Sequence, residues 1–353
     1  MKPSADFWRG KRVLLTGHTG FKGAWCRLWL ERLGAQVFGL GLAPEDPAGL
    51  YSLTGGSLSD GSIGNILDPA LVSRRFHQAA PDIVIHMAAQ ALVRRSYDEP
   101  VETFETNVMG LVRILEAVRR TQTVRAIVNV TSDKCYENRD QIWSYREDDP
   151  MGGADPYSAS KGCAELVTAS YRRSYFNGAG SQRLASARAG NVIGGGDTSP
   201  DRLVPDCIRC FEQGRPVLIR NPLATRPWQH VLDPVCGYLL LAQALYEGGD
   251  GMDEGWNFGP SDDGSWPVSR IVEVLADLWG DGAAWRPDLE VHPKEARMLR
   301  VDSTKARMRL GWRPRLELDR ALVWTVDWWR AVRRGASAID VTRAQIDQYA
   351  GLL

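Results

Sequence analysis

RVLLTGHTGFKG, residues 12–23, reads as a buried strand, a glycine turn and the opening of a helix. The run RVLLT is short, apolar and rich in branched residues, and beyond the turn Trp25, Leu28, Trp29 and Leu33 recur at helical spacing. Glycine suits such a turn for three reasons: the backbone bends tightly, it approaches a pyrophosphate closely, and it lets helix pack on strand. The helix N-terminus then offers free amides to the anion. A glycine triplet alone says little, but between a first strand and a helix it marks a dinucleotide site. Gly17, Thr19, Gly20, Phe21, Lys22 and Gly23 are its expected residues.

Working outward, residues 36–40 (QVFGL) form the next expected strand. A dinucleotide-binding unit usually carries an acid near the end of that strand to hold the adenine ribose. Here the strand runs into Gly41, Leu42 and Ala43, with Glu45 and Asp46 the nearest acids. No arginine stands there for a 2'-phosphate, which favours NAD over NADP and leaves the ribose contact unassigned. The same rhythm continues through brief strand-like residues 62–66, strand 81–86 (PDIVIH), helix 107–119 and strand 126–130 (AIVNV). Asn65 and Ile66 fall where adenine would lie, and Ala88 and Ala89 are small enough for a cofactor to rest on the backbone. Strands alternating with helices predict an α/β fold, a doubly wound parallel sheet with ligands at the carboxyl ends of the strands.

The strand 126–130 delivers the densest chemistry. Residues 129–161 read NVTSDKCYENRDQIWSYREDDPMGGADPYSASK, so Ser132, Asp133 and Lys134 leave a strand end together. Asp155-Pro156 looks like a helix cap followed by proline at the first helical position. Tyr157 and Lys161, four apart, then share one helix face. If strand and helix meet, five reactive groups converge.

Composition excludes several alternatives. The 353 residues are 44% hydrophobic, enough for a large core in two lobes. Lysine plus arginine equals aspartate plus glutamate at 43 each, which gives no electrostatic case for nucleic acid. No apolar run approaches the roughly 18 residues of a membrane span, and residues 1–12 are too polar for a signal peptide. A soluble cytoplasmic protein without membrane attachment is expected. The six cysteines are scattered, as in a reducing compartment. Cys207 and Cys210 make a CxxC inside an expected helix without a second ligand pair, and there is no HExxH, so no metal site is expected.

The TGHTGFKG turn, the Tyr157-x-x-x-Lys161 pair and the order of units resemble the extended short-chain dehydrogenase/reductases, with a Rossmann-type NAD-binding lobe and a smaller mixed α/β substrate lobe. Within that family TSDKCYEN, DPYSASKGCAE, RAGNVIGGGD and RPWQHVLDP resemble the CDP-glucose 4,6-dehydratases. The resemblance implies residues 1–187 plus about 228–258 in the NAD lobe, and about 188–227 plus 259–353 in the nucleotide-sugar lobe. It adds Gln90, Asn107, Tyr157 and Lys161 to the NAD contacts. It implies a nucleotide-hexose substrate, CDP-glucose favoured, and a homodimer or dimer of dimers through the helices bearing Asn107 and Tyr157.

The implied reaction has three stages. Tyr157 takes the C4 hydroxyl proton while C4 hydride passes to NAD; water is lost across C5 and C6; hydride returns to C6. A neighbouring Lys161 ammonium would favour the phenolate of Tyr157, and Ser132 can hydrogen-bond the same hydroxyl. Asp133 and Lys134 divide the elimination. The similar dTDP-glucose enzymes carry glutamate where this chain has Lys134. A lysine base at neutral pH must be brought down from about 10.4, a cost of roughly 4 kcal/mol. A neutral Lys134 beside a protonated Asp133, one proton shared between two groups, supplies both an acid and a base; otherwise a charged Lys134 stabilises the enolate and another group removes the C5 proton.

For the diphosphate the resemblance points to Asn191 and Arg226. His230 fits a substrate contact or a structural histidine equally. Glu295, Arg297 and Arg300 either reach the nucleotide or form a solvated face. Trp324, Trp328 and Trp329 lie on an expected helix, 319–334, where core packing is the simpler reading.

Overall fold

The computed structural model describes residues 1–56, 60–178, 180–261, 265–290 and 299–353. Twelve strands are described: β1 Arg12–Thr16, β2 Gln36–Gly41, β3 Gly61–Ile63, β4 Ile83–His86, β5 Ala126–Val130, β6 Arg183–Ala189, β7 Asn191–Ile193, β8 Val217–Ile219, β9 Thr225–His230, β10 Gly255–Phe258, β11 Ser265–Pro267 and β12 Trp285–Pro287. Seven of them form one sheet in the order β10-β6-β5-β4-β1-β2-β3, every neighbouring pair parallel. Parallel strands need helical crossovers, and those helices cover both faces. That is why β4 and β5 are buried along their whole length.

Side-chain alternation divides the core between the two faces. Leu14, Val84, Ile127 and Leu184 pack with Phe76, Ile114 and Val118 on one side. Val13, Leu15, Ile83, Ile85 and Val128 pack with Trp25, Leu28 and Trp29 on the other. From β1 the chain steps outward to β2 and β3, then returns across β1 to β4. The strand order therefore reverses between β1 and β4, where ligands settle in open α/β sheets.

The remaining strands make a three-stranded sheet, β11-β9-β7, and a two-stranded one, β12-β8. Both are built from chain that follows β6. The last helix, Ala338–Ala350, packs on two others: Trp328 Nε1 of Leu318–Arg333 donates to Thr342 Oγ1 at 2.9 Å, and against Phe21–Arg32 Arg32 pairs with Asp347 and Trp29 meets Tyr349 edge-on, while the Tyr349 hydroxyl donates to Asp233 at 2.6 Å. Trp324, Trp328 and Trp329 are buried in the Leu318–Arg333 helix, as a packing role requires.

The helical spacing over residues 107–119 corresponds to a π turn at Glu105–Met109 followed by the α-helix Gly110–Arg119. Gly110 lies so close to Ile66 that a β-carbon there would collide with its terminal methyl. The third strand stops at Ile63, leaving Asn65 and Ile66 in a loop. Cys207 is buried in the Leu203–Glu212 helix as part of the core. No helix among the described residues is long and apolar enough to cross a membrane.

Candidate active site

A cleft of about 1260 Å³ runs over the carboxyl ends of the strands. Single-ligand pockets usually hold about 300–1,000 Å³, so this one is large enough for two ligands side by side. Of the expected residues, Gly17, Thr19, Gly20, Phe21, Lys22, Gly23, Asn65, Ile66, Ala88, Ala89, Gln90, Ser132, Asp133, Lys134, Tyr157, Lys161, Asn191 and Arg226 all line it.

At one end the glycine turn forms a cradle. Gly17 has φ +70°, the left-handed region that favours glycine. A β-carbon on it would come within 2.7 Å of the Ala88 amide nitrogen, so the loops after β1 and β4 touch here. A β-carbon on Gly23 would drive into the Gly17 carbonyl oxygen. Gly20 caps the Phe21–Arg32 helix without a side-chain bond, leaving the first-turn amides to the cleft. This donor set and this space fit the pyrophosphate of a dinucleotide. At the end of β2, Glu45 is exposed and pairs with Arg95 at 3.4 Å. Arg95, invisible as a neighbour in sequence, therefore lines the cleft close to Glu45.

Two expected contacts are corrected. Asn107 does not line the cleft. It is buried behind Gln90, accepting from the Gln90 amide at 2.9 Å and donating to the Gln90 carbonyl and to Ser160 Oγ. Its side chain shapes the lining instead of joining it. His230 is also absent from the cleft: it is fully buried, edge-on to Trp25 and Trp324, with Nδ1 bonded to the Leu232 amide. Burial drops its pKa to about 3, so it is a neutral core residue. Glu295 and Arg297 lie outside the described residues, and Arg300 is half-buried away from the cleft.

The reactive cluster is assembled by two elements. Asp155 caps the Pro156–Tyr175 helix, accepting from the Ser158 amide at 2.9 Å, and the Tyr157 amide donates to Ser96 Oγ. Gly162 lets this helix approach the loop after β5, since a β-carbon there would stand 2.9 Å from the Gly152 carbonyl oxygen and 3.3 Å from that of Cys135. In that loop the Ser132 hydroxyl donates to Asp133 Oδ1 at 3.0 Å and accepts from the Lys134 amide at 3.2 Å. Asp133 Oδ2 is buried without a hydrogen-bond partner. Lys161 Nζ lies 5.9 Å from the Tyr157 ring centroid.

Burial dominates the titration of this cluster. It raises Asp133 above the usual carboxylate range, against the opposing pull of Lys134, the Ser132 hydrogen bond, Arg226 and Lys22. It lowers Lys161 to about 7, assisted by the Lys22 cation. It pushes Tyr157 up to about 12, with the Ser132 hydrogen bond and Arg202 acting the other way. The expectation that Lys161 favours the Tyr157 phenolate is thus outweighed by desolvation, which disfavours either charge. Lys22 is itself lowered to about 8, by burial and Arg202, with Asp133 and Asp197 opposing.

Sequence reasoning missed Arg202, whose charge acts on both Tyr157 and Lys22, and the fully buried Tyr238, whose hydroxyl has no hydrogen-bond partner and feels Asp133 and Tyr157. Neither stands in a local motif.

A family model described as NAD dependent epimerase/dehydratase family matches residues 13–257. The chain is 50% identical over 349 residues to CDP-glucose 4,6-dehydratase of Salmonella typhimurium, covering 98% of this chain and 97% of the relative. It is 27% identical to a dTDP-glucose 4,6-dehydratase of Xanthomonas campestris pv. campestris, over 90% of this chain and 92% of that one. Among solved structures it resembles a dTDP-glucose 4,6-dehydratase of Streptomyces venezuelae with NAD bound, at a TM-score of 0.77 and 25% identity, covering 93% of this chain and 99% of that chain. A Thermus thermophilus UDP-glucose 4-epimerase in complex with NAD is similar to the same degree, with a TM-score of 0.77 and 25% identity over 90% of this chain and 99% of that one.

Proposed function

Because the chain belongs to the NAD dependent epimerase/dehydratase family, we propose that it is a nucleotide-sugar 4,6-dehydratase, converting CDP-D-glucose to CDP-4-keto-6-deoxy-D-glucose. The observation that carries this reading is the buried Asp133, its Oδ2 unpartnered, beside Lys134 in the same cleft as Tyr157 and Lys161. An epimerase needs only a group that moves the C4 hydroxyl proton. An elimination needs in addition an acid for the departing C6 hydroxyl and a base for the C5 hydrogen.

The glycine cradle, Asn65, Ile66, Ala88, Ala89 and Gln90 would hold NAD. NAD bound there supplies the hydride acceptor for C4 and the donor for C6. The rest falls to the chain. Ser132 and Tyr157 hold the 4-hydroxyl, and Tyr157 receives its proton. Tyr157 sits near 12 and rests as a neutral phenol, so it takes up the C4 proton only as it passes its own phenolic proton on towards neutral Lys161; the Ser132 hydrogen bond and the Arg202 charge ease that ionisation. Lys161, near 7, holds a proton part of the time and accepts or returns one without a large change in pH. With a ketone at C4 the C5 hydrogen becomes acidic; Lys134 removes it. Asp133, whose carboxyl burial shifts towards the protonated form, delivers a proton to the C6 oxygen and then carries the charge. Asn191 and Arg226 bind the diphosphate.

The test is incubation with NAD and CDP-, UDP-, GDP- and dTDP-glucose, reading product mass for loss of one water. CDP-glucose should be dehydrated fastest; an unchanged mass with CDP-glucose would refute the assignment. We also read the chain as a homodimer. Val101, Phe104 and Met109, beside Cys163, and Leu166 on the helix that carries Cys163 are large apolar side chains left exposed, which supports this reading. Light scattering at the mass of one chain would exclude this. All six cysteines are free, as suits a cytoplasmic enzyme.

A further inference from the structure

The loop that carries Ser132, Asp133 and Lys134 is fastened at both ends to one buried ion pair that no part of the reaction uses. Glu165 and Arg188 are each 5% exposed and meet through two parallel bonds, Arg188 Nε to Glu165 Oε1 at 2.9 Å and Nη2 to Oε2 at 2.8 Å. Thr131, immediately before Ser132, donates its hydroxyl to Glu165 Oε1 at 2.5 Å. Tyr136, immediately after Cys135, receives Arg188 Nη1 on its hydroxyl oxygen at 2.6 Å and donates to Asn257 Oδ1 at 2.7 Å. Ser186 Oγ fills the other Glu165 oxygen, and the Glu147 carbonyl takes the second bond from Nη1.

Glu165 stands four residues after Lys161 on the same helix, hence one turn along the same face. The pair therefore ties the two elements that bring the reactive groups together. A buried charge pair gives little net stability against a well-packed apolar replacement, but its directional bonds hold one geometry. Polar satisfaction here is complete: no side-chain nitrogen or oxygen of Glu165, Arg188, Thr131 or Tyr136 is among the buried atoms without a partner.

We propose that the Glu165–Arg188 pair is a positioning clamp, holding Asp133 and Lys134 at working distance from Tyr157 and Lys161 through Thr131 at one end of the loop and Tyr136 at the other. The assignment of the partial reactions rests on the dehydratase reading; the clamp itself does not. Elimination depends on two groups of the loop, whereas C4 oxidation depends chiefly on groups of the helix. Loosening the loop should therefore slow the two steps unequally, since a displacement of about 1 Å costs on the order of a hundredfold in a positioned reaction.

The experiment compares Thr131→Val, Thr131→Ser and Tyr136→Phe with the unaltered enzyme. One arm is hydrogen–deuterium exchange of the segment 131–136, which needs no substrate. The other, with CDP-glucose and NAD, reads C4 oxidation by transient NADH absorbance and C5 exchange from solvent deuterium in the sugar. Expected for Thr131→Val and Tyr136→Phe are about tenfold faster amide exchange confined to this segment and C5 exchange slowed about tenfold, with C4 oxidation within about threefold. Thr131→Ser, which keeps the hydroxyl, should match the unaltered enzyme in both arms. Unchanged amide exchange, a rise spread evenly over the whole chain with a lower melting midpoint, equal loss of both partial reactions, or failure of Thr131→Ser to retain them would each overturn the clamp. If the unaltered enzyme does not act on CDP-glucose, the dehydratase reading fails and the amide-exchange arm alone decides the clamp.

Discussion

Replacing Lys161 by methionine should abolish turnover while making the protein more stable, and the gain should depend on pH in a defined way. The buried ammonium titrates near 7 in place of its ordinary 10.5. Each factor of ten in that equilibrium is worth about 1.36 kcal/mol, so the folded chain carries a penalty of about 5 kcal/mol when Lys161 is charged in both states. Below pH 7 both folded and unfolded chains hold the proton and the penalty is complete. Between pH 7 and 10.5 only the unfolded chain holds it, so the unfolded state binds more protons and stability climbs with pH. Above 10.5 neither does and the penalty is gone. Methionine has a similar length and no charge. Lys161→Met should therefore be more stable than the unaltered protein by about 4 kcal/mol at pH 7, with the difference falling below about 1 kcal/mol by pH 10.5. Urea denaturation of both proteins at matched pH values, without added NAD, measures it, and taking the difference cancels other titrations. A constant difference across that range, or a variant less stable at pH 7, would refute the argument that desolvation governs this lysine.

Two other substitutions probe the site. Lys134→Met should leave C4 oxidation within about threefold and slow C5 exchange by at least about a hundredfold, the usual scale of losing a general base; persistence of normal exchange, read by deuterium incorporation, would show that another group removes the C5 hydrogen. Gly23→Ala should cost about 3 kcal/mol or more by overpacking against the Gly17 carbonyl; it should also weaken NADH binding measured by fluorescence, while Gly10→Ala, with open space around its β-carbon but φ +75°, should leave NADH binding unchanged.

Much of the site was legible because its residues stand in local patterns. The run from Arg12 to the Gly17–Gly23 turn encodes strand, turn and helix through nearest-neighbour effects, and Asp155-Pro156 encodes the start of the helix that presents Tyr157 and Lys161. Those are short-range constraints, readable without knowing the fold. His230 and Asn107 were harder because each residue type fits a binding site and a core equally well. What separated the roles was the neighbour across the fold: Trp25 and Trp324 around His230, Gln90 and Ser160 around Asn107.

By itself, then, the sequence determined the parallel doubly wound layout, the dinucleotide turn and the identity of the reactive groups, since periodicity, caps and glycine placement are local properties of the chain. Tertiary structure alone decided three things: which way Tyr157 and Lys161 titrate, that Lys22 and Arg202 act on them, and that Glu165 and Arg188 bind both ends of the Ser132–Cys135 loop. The physical reason is common to all three. Desolvation and Coulomb interaction depend on what surrounds a group in space, and residues 22, 161 and 202 are far apart along the chain but share one cleft.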